Sequence, residues 1–175
     1  LECVITSTPS NLLQRQADIG VRLSRPEQLD LIARRAGELP MRFFAARAYL
    51  EAQGMPEPGH VNIELYDWVG WDADEYFIRS ARQMGFDYER EDFSFRSDDG
   101  LAQLAAIRSG WGIGVLWEPV GRQEPELVEV MQHIQLASLP VWVVVHEEVH
   151  TNPRVRATFD SLVEYLVAYL EELEP

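Results

Sequence analysis

Apolar and polar positions change period several times along this chain, and each change marks an element. Ile19, Val21 and Leu23 alternate with Gly20 and Arg22, the two-residue period of a half-buried strand. Residues 3–7 read as a strand before it, followed by a helix through Arg15 that Thr8 caps and Pro9 opens. After the turn at 24–26 come extended stretches at 31–36 and 40–45, and then a helical stretch at 48–53. Two prolines and two glycines make 54–59 a loop. From there the pattern predicts a strand at 61–66, a helix at 74–84, a strand at 92–96, a helix at 101–108 and a strand at 113–117. Strands separated by helices of this length build βαβ units, and hence a parallel or mostly parallel sheet with helices on its faces. Two more strands fall at 127–131 and 141–146, the second β-branched almost throughout, as in a strand buried on both sides. Asn152 and Pro153 start a closing helix in which Val155, Phe159, Leu162, Leu166, Leu170 and Leu173 recur every three or four residues.

Charge divides the chain. Residues 1–47 hold seven Arg against five acids, 48–135 six against seventeen, and 136–175 two against seven. The break coincides with the changes of pattern and predicts an α/β protein in two lobes, the acidic middle forming one and both ends of the chain the other. A net charge of −14 argues against a nucleic-acid-binding face on this chain, whose phosphate contacts would need a basic surface. All fifteen cations are arginine. With 46% hydrophobic residues the chain has enough apolar side chains for a core. The longest apolar run, 139–145, is far below the roughly 20 residues of a membrane helix. No signal peptide is visible at the start, and the single Cys3 forms no internal disulfide, which fits a cytoplasmic protein.

One stretch matches a chemical motif. His146-Glu147-Glu148-Val149-His150 is H-E-x-x-H, which on a helix places two histidines on one face for zinc and a glutamate as general base. The local pattern opposes this, because 141–145 is a strand and a new helix starts at Asn152-Pro153. Two histidines four residues apart in a strand lie about 13 Å apart. A strand end and a polar loop is the reading, with no metal and no cofactor. Gly110-Trp111-Gly112-Ile113-Gly114 follows a helix and precedes a strand, the reverse of a dinucleotide-binding order, so it reads as a tight turn. Ser97-Asp98-Asp99 lies where a strand ends and a helix begins. Backbone N–H groups there either hold an anionic group or are capped by these side chains.

The order and spacing of several segments resemble a family. Gln16-Ala17-Asp18-Ile19-Gly20-Val21-Arg22, residues 30–40 and Ala48-Tyr49-Leu50 are similar to the regulatory domain of LysR-type transcriptional regulators. So are residues 98–116, Leu139-Pro140-Val141-Trp142-Val143-Val144-Val145-His146, and Asn152-Pro153-Arg154-Val155-Arg156-Ala157. The resemblance implies a two-lobed fold like that of type II periplasmic binding proteins, with two crossover strands joining the lobes and a small-molecule inducer between them. Lobe I would take 1–40 and 147–175, and lobe II 41–146. It also implies a fragment without the winged helix-turn-helix that reads DNA, and without the first strand-helix unit of lobe I. The uncovered edge of such a sheet would call for oligomerisation or strand exchange. Ala46-Arg47 stands where the family often has Ser-Pro, and Trp117-Glu118-Pro119 delays the usual proline by two residues.

The expected role is inducer sensing without catalysis, in a homodimer or homotetramer. Candidate effector contacts are Arg22, Leu23 and Ser24 ending a lobe I strand, Arg42, Phe43 and Phe44 on the first crossover, Tyr66, Asp67 and Trp68 after a lobe II strand, and Ser97 and Asp98 at the helix start. Arg22 and Arg42 either pair with a carboxylate or phosphate on the ligand or form internal ion pairs. Trp68 and Trp71 are packing residues or an aromatic wall. The rivals are an extracytoplasmic solute-binding protein of the same fold and a zinc hydrolase using His146, Glu147 and His150.

Overall fold

The β-branched run 141–145 lies inside the longest strand but one of the structure, a computed structural model that describes residues 1–6, 17–26, 28–57, 65–72, 78, 79, 82 and 89–173. Among the described residues three strands form the first sheet: β1 (Ile19–Arg22), β2 (Leu31–Leu39) and, between them and antiparallel to both, β8 (Leu139–His146). Alternation along β8 sends Val141, Val143 and Val145 to one face. There they meet Leu170 and Phe159 of the closing helix α5 (Pro153–Glu171). Val143, Val144 and Val145 are wholly buried, as a central strand requires. Pro140 is tolerated because β1 begins pairing only at Trp142, so the missing N–H falls where β8 has one neighbour. Asn152 accepts a hydrogen bond from Arg154 N–H, and Pro153 opens α5 as expected.

The second sheet has the order β5-β4-β6-β3-β7, from β3 (Met41–Ala46), β4 (Trp68–Gly70), β5 (Phe95–Arg96), β6 (Ile113–Trp117) and β7 (Leu127–Val130). The helices α1 (Arg47–Gln53), α2 (Gly100–Arg108) and α3 (Glu118–Gln123) accompany it. Phe43, Phe44, Trp68, Val69, Ile107 and Ile113 form its core. Contacts gather the chain into two compact units, 1–40 with 137–175 and 41–136. The segment 137–146 therefore groups with the first unit, whereas the sequence reading carried the second to His146.

Several expectations change. The sheets are mixed rather than mostly parallel: among the described residues β4 pairs in parallel with β5 and β6, and the other four pairings are antiparallel. The reason is connectivity. A helix-length crossover lies between β5 and β6, which run in the same direction, whereas β8 and β3 enter their sheets against the direction of their neighbours. Residues 1–6 are exposed and form no strand, and none of the described strands pairs with them. Ser7, the helix expected at 8–15, and 61–64 lie outside the described residues, as does most of 74–84, of which 78, 79 and 82 are helical. In the second unit the strand starts at Trp68, so Tyr66 and Asp67 precede a strand rather than follow one. The expected strand at 92–96 shortens to β5 because Glu89 and Asp92 cap each other across a 3-10 turn, Arg90–Asp92. The helix α3 was not foreseen, nor was α4 (Glu147–His150), a single turn where a loop was expected.

Candidate functional site

The parallel strands β4, β5 and β6 end on one edge of the second sheet, and antiparallel β3 begins there, Met41 facing Trp117 and Arg42 facing Leu116. In open α/β sheets this carboxyl edge is where ligands collect. It carries Arg42, Asp72, Ser97, Asp98 and Glu118. Ser97 N–H donates to the Gly70 carbonyl, which fixes the loop leaving β5 against the loop leaving β4. The Asp98 carboxylate accepts from Asp72 N–H at 3.0 Å. Asp72 in turn pairs with Arg90 and lies 3.5 Å from Arg96. Gln103, only 2% exposed, donates from α2 to the Ser97 carbonyl. Ser97 Oγ accepts from Asp99 N–H, and the Asp99 carboxylate accepts from Leu101 and Ala102 N–H. The start of α2 is thus capped by its own side chains.

Three strands away, roughly 14 Å at sheet spacing, Arg42 is engaged internally. Its guanidinium lies 3.2 Å from Glu118 and 3.6 Å from Glu129, and Arg122 reaches the same two carboxylates at 2.8 and 3.5 Å. The side chains of Glu118 and Glu129 are 11% and 15% exposed. Two largely buried carboxylates sharing two guanidiniums leave Arg42 little free charge for a ligand.

The other candidates of this unit separate by position. Trp68, Phe43 and Phe44 are core: Phe43 meets Trp68 edge-on at 6.1 Å, and Phe44 packs against Gly121 of α3. Tyr66 and Asp67 stand at the opposite edge from Ser97. Asp67 N–H donates to the Tyr49 hydroxyl at 2.8 Å, and the Asp67 carbonyl accepts from Ile113 N–H. Burial of Tyr49 raises its phenol pKa above the ordinary value, with the neighbouring Asp67 charge acting in the same direction. A groove of about 480 Å³ also opens in this unit beside Asp72, Ile78, Arg79, Arg82, Glu89, Arg90 and Glu91.

In the first unit Arg22 ends β1 and donates to Gln28 at 3.0 Å, while half-buried Leu23 packs on the cluster of Ala36, Leu39, Val141 and Leu170. Ser24 follows in the bend, half-buried. Directly across from Arg22 on β8 stands Trp142, which sequence reasoning passed over. Asp72, Glu118, Glu129 and Gln103 were missed too, the acids because they resemble any others in an acidic chain. Only strand alternation at 139–146, which separates Trp142 from Val141 and Val143, could have signalled one of them.

The H-E-x-x-H residues do not converge. His146 ends β8 and accepts from Glu148 N–H through Nδ1 at 3.2 Å, capping α4, whereas the His150 ring stands edge-on to Phe159 at 5.5 Å. Among the described residues no three His, Cys, Asp or Glu side chains are grouped so as to hold a metal ion. No described helix is long and apolar enough to cross a membrane.

Known proteins supply the context. The LysR substrate binding domain matches residues 2–167. The chain is 23% identical over 176 residues to the HTH-type transcriptional activator AaeR of Escherichia coli (strain K12), covering 94% of this chain and 55% of that protein. Quorum-sensing regulator A of Escherichia coli O157:H7 matches to the same extent. The chain thus spans about half the length of the curated relatives it matches. Among solved structures, the regulatory domain of CrgA from Neisseria meningitidis superposes with a TM-score of 0.76 at 23% identity, over 89% of this chain and 78% of that one. The effector domain of AmpR from Pseudomonas aeruginosa gives 0.74 at 13% identity, over 97% and 82%. These regulatory domains have the type II periplasmic-binding-protein-like fold, and so does this chain. The collinear match across both compact units makes the chain a member of the LysR substrate binding domain family.

Proposed function

We propose that this chain is the inducer-sensing regulatory domain of a LysR-type transcriptional regulator, with no catalysis of its own. The observation that carries this reading is the family match over residues 2–167. The preformed, hydrogen-bonded loops at the carboxyl edge of the second sheet support it. On this reading the two compact units are the two regulatory lobes. Arg22, Leu23 and Ser24 in one, and Ser97 and Asp98 with the neighbouring Asp72 in the other, contact the effector. Arg42, Phe43, Phe44 and Trp68 then act chiefly by shaping the second lobe, and Tyr66 and Asp67 by joining β4 to α1 and β6. The effector works by population shift, binding one arrangement of the domain better than another and so biasing how subunits pack. The whole protein acts in the cytoplasm as a homodimer or homotetramer and reads DNA through a separate winged helix-turn-helix domain.

A thermal-shift screen of small acids and aromatic compounds tests this. A true effector raises the melting temperature saturably, by an amount that follows RT ln(1 + [L]/Kd), and Ser97→Ala together with Arg22→Gln weakens the response. A coding sequence upstream of Leu1 that encodes a secretory signal and no helix-turn-helix would overturn the reading in favour of a solute-binding protein.

A further inference from the structure

Trp117 closes β6 at the carboxyl edge of the second sheet, directly opposite Met41 of β3. The rest of β6 is buried or half-buried, yet Trp117 stays 42% exposed. It is also the residue before α3, where Ser, Thr, Asp or Asn would cap the helix with a side-chain oxygen. An indole has a donor and no acceptor, and Trp117 makes no cap hydrogen bond. Among the described residues its side chain has neither a hydrogen-bond partner nor a ring partner. A large aromatic side chain that neither fills the core nor caps its helix breaks the local rules without stabilising the fold, and such departures gather at functional sites. Its position agrees. β4 and β6 run side by side in parallel, with Val69 level with Gly114. Asp72 and Trp117 each lie three residues further on, so both leave the same edge of the sheet, where Asp72 N–H holds Asp98. The arginines of this edge are matched by acids, Arg42 by Glu118 and Glu129, Arg90 and Arg96 by Asp72.

We propose that Trp117 is a further effector contact, whose exposed indole packs on an aromatic ring of an uncharged effector. Aromatic rings meet an indole in offset or edge-on pairs that contribute more than the area they cover, and ligand sites are lined chiefly by apolar and aromatic side chains. Guanidiniums already paired with carboxylates offer an anion little, and the carboxylates beside them repel one. This rests on the effector-sensing reading and names the ligand chemistry of its second-unit half.

The test uses the whole 175-residue chain, labelled with 15N, and follows the five tryptophan indole resonances during titration with benzamide and benzyl alcohol. Cyclohexanecarboxamide and cyclohexylmethanol are the matched probes without an aromatic ring, and benzoate is the matched anion. Trp117→Phe and Trp117→Leu each identify the Trp117 signal by its loss. The expected result is a saturable shift of that signal with at least one aromatic probe, little response to its cyclohexane counterpart, and weaker binding of benzoate. Trp117→Leu is expected to bind the aromatic probe about tenfold more weakly, and Trp117→Phe to recover most of the affinity. Both variants keep the urea midpoint, which a packing role for Trp117 would lower. An aromatic probe that binds saturably while the Trp117 signal stays still, or that binds Trp117→Leu unchanged, overturns the proposal and leaves the effector reading intact. Equal binding of the cyclohexane counterpart overturns the aromatic assignment, and tighter binding of benzoate overturns the uncharged one. No saturable response to any probe at millimolar concentrations overturns the proposal as well, while a hit of other chemistry in the thermal-shift screen would still uphold the effector reading.

Discussion

Gly112 shows how narrowly single residues are constrained here. Its φ of +157° lies outside the usual range of L side chains, and a Cβ would overlap the Asp67 carbonyl, whose oxygen accepts the Ile113 N–H that starts β6. Gly112→Ala is therefore expected to cost about 2–4 kcal/mol, from overpacking plus backbone strain, read as a lower urea midpoint with unchanged slope. Tyr49 makes a different prediction. Its raised pKa means that the folded state favours the neutral phenol. The associated stability is complete below the ordinary tyrosine pKa near 10 and is lost as pH rises through the higher folded value. Urea denaturation from pH 8 to 11 should show this decline, and Tyr49→Phe should reduce it. His146 was singled out as a metal ligand in one reading and proves to be a helix cap. His146→Ala should cost roughly 1 kcal/mol, and stoichiometric zinc lost by that variant would restore the hydrolase alternative.

Elements carry the candidate site. The loop between β5 and α2 is held at three points: Ser97 N–H on Gly70, Gln103 on the Ser97 carbonyl, and Asp98 on Asp72 N–H. The Asp99 cap holds the first turn of α2 from the same loop. Asp99→Ala should cost about 1 kcal/mol in chemical denaturation and Asp99→Asn much less, because an amide oxygen caps nearly as well as a carboxylate. The capping was legible in the sequence, since Ser97-Asp98-Asp99 stood between a predicted strand and a predicted helix. Gln103 was not legible, because nothing in its neighbours says that a polar side chain at mid-helix points inward. The α3 helix was missed because Trp117-Glu118-Pro119 reads as a strand running into a turn. The pairing of Arg122 with Glu129 of β7 and the packing of Phe44 on Gly121 hold it in place, and both are tertiary contacts.

At the scale of the molecule, charge separates by unit. Residues 41–136 contain eight Arg and seventeen acids, and the remainder seven and twelve. Both units are acidic, so the isolated chain is expected to show no measurable association with duplex DNA in fluorescence anisotropy at physiological salt; salt-sensitive micromolar binding would contradict this. The α/β class, the strand β6 and the closing helix were written in hydrophobic period and in the helix-start signals at Asp99 and Asn152, because these are local properties of backbone and solvent. The parallel or antiparallel sense of each pairing was not, since it depends on where the chain re-enters a sheet. Nor were the pairing of Arg42 with Glu118 and Glu129 and the alignment of Trp142 with Arg22. A charge or an indole chooses its partner from residues tens of positions away, and only the folded chain brings those within reach.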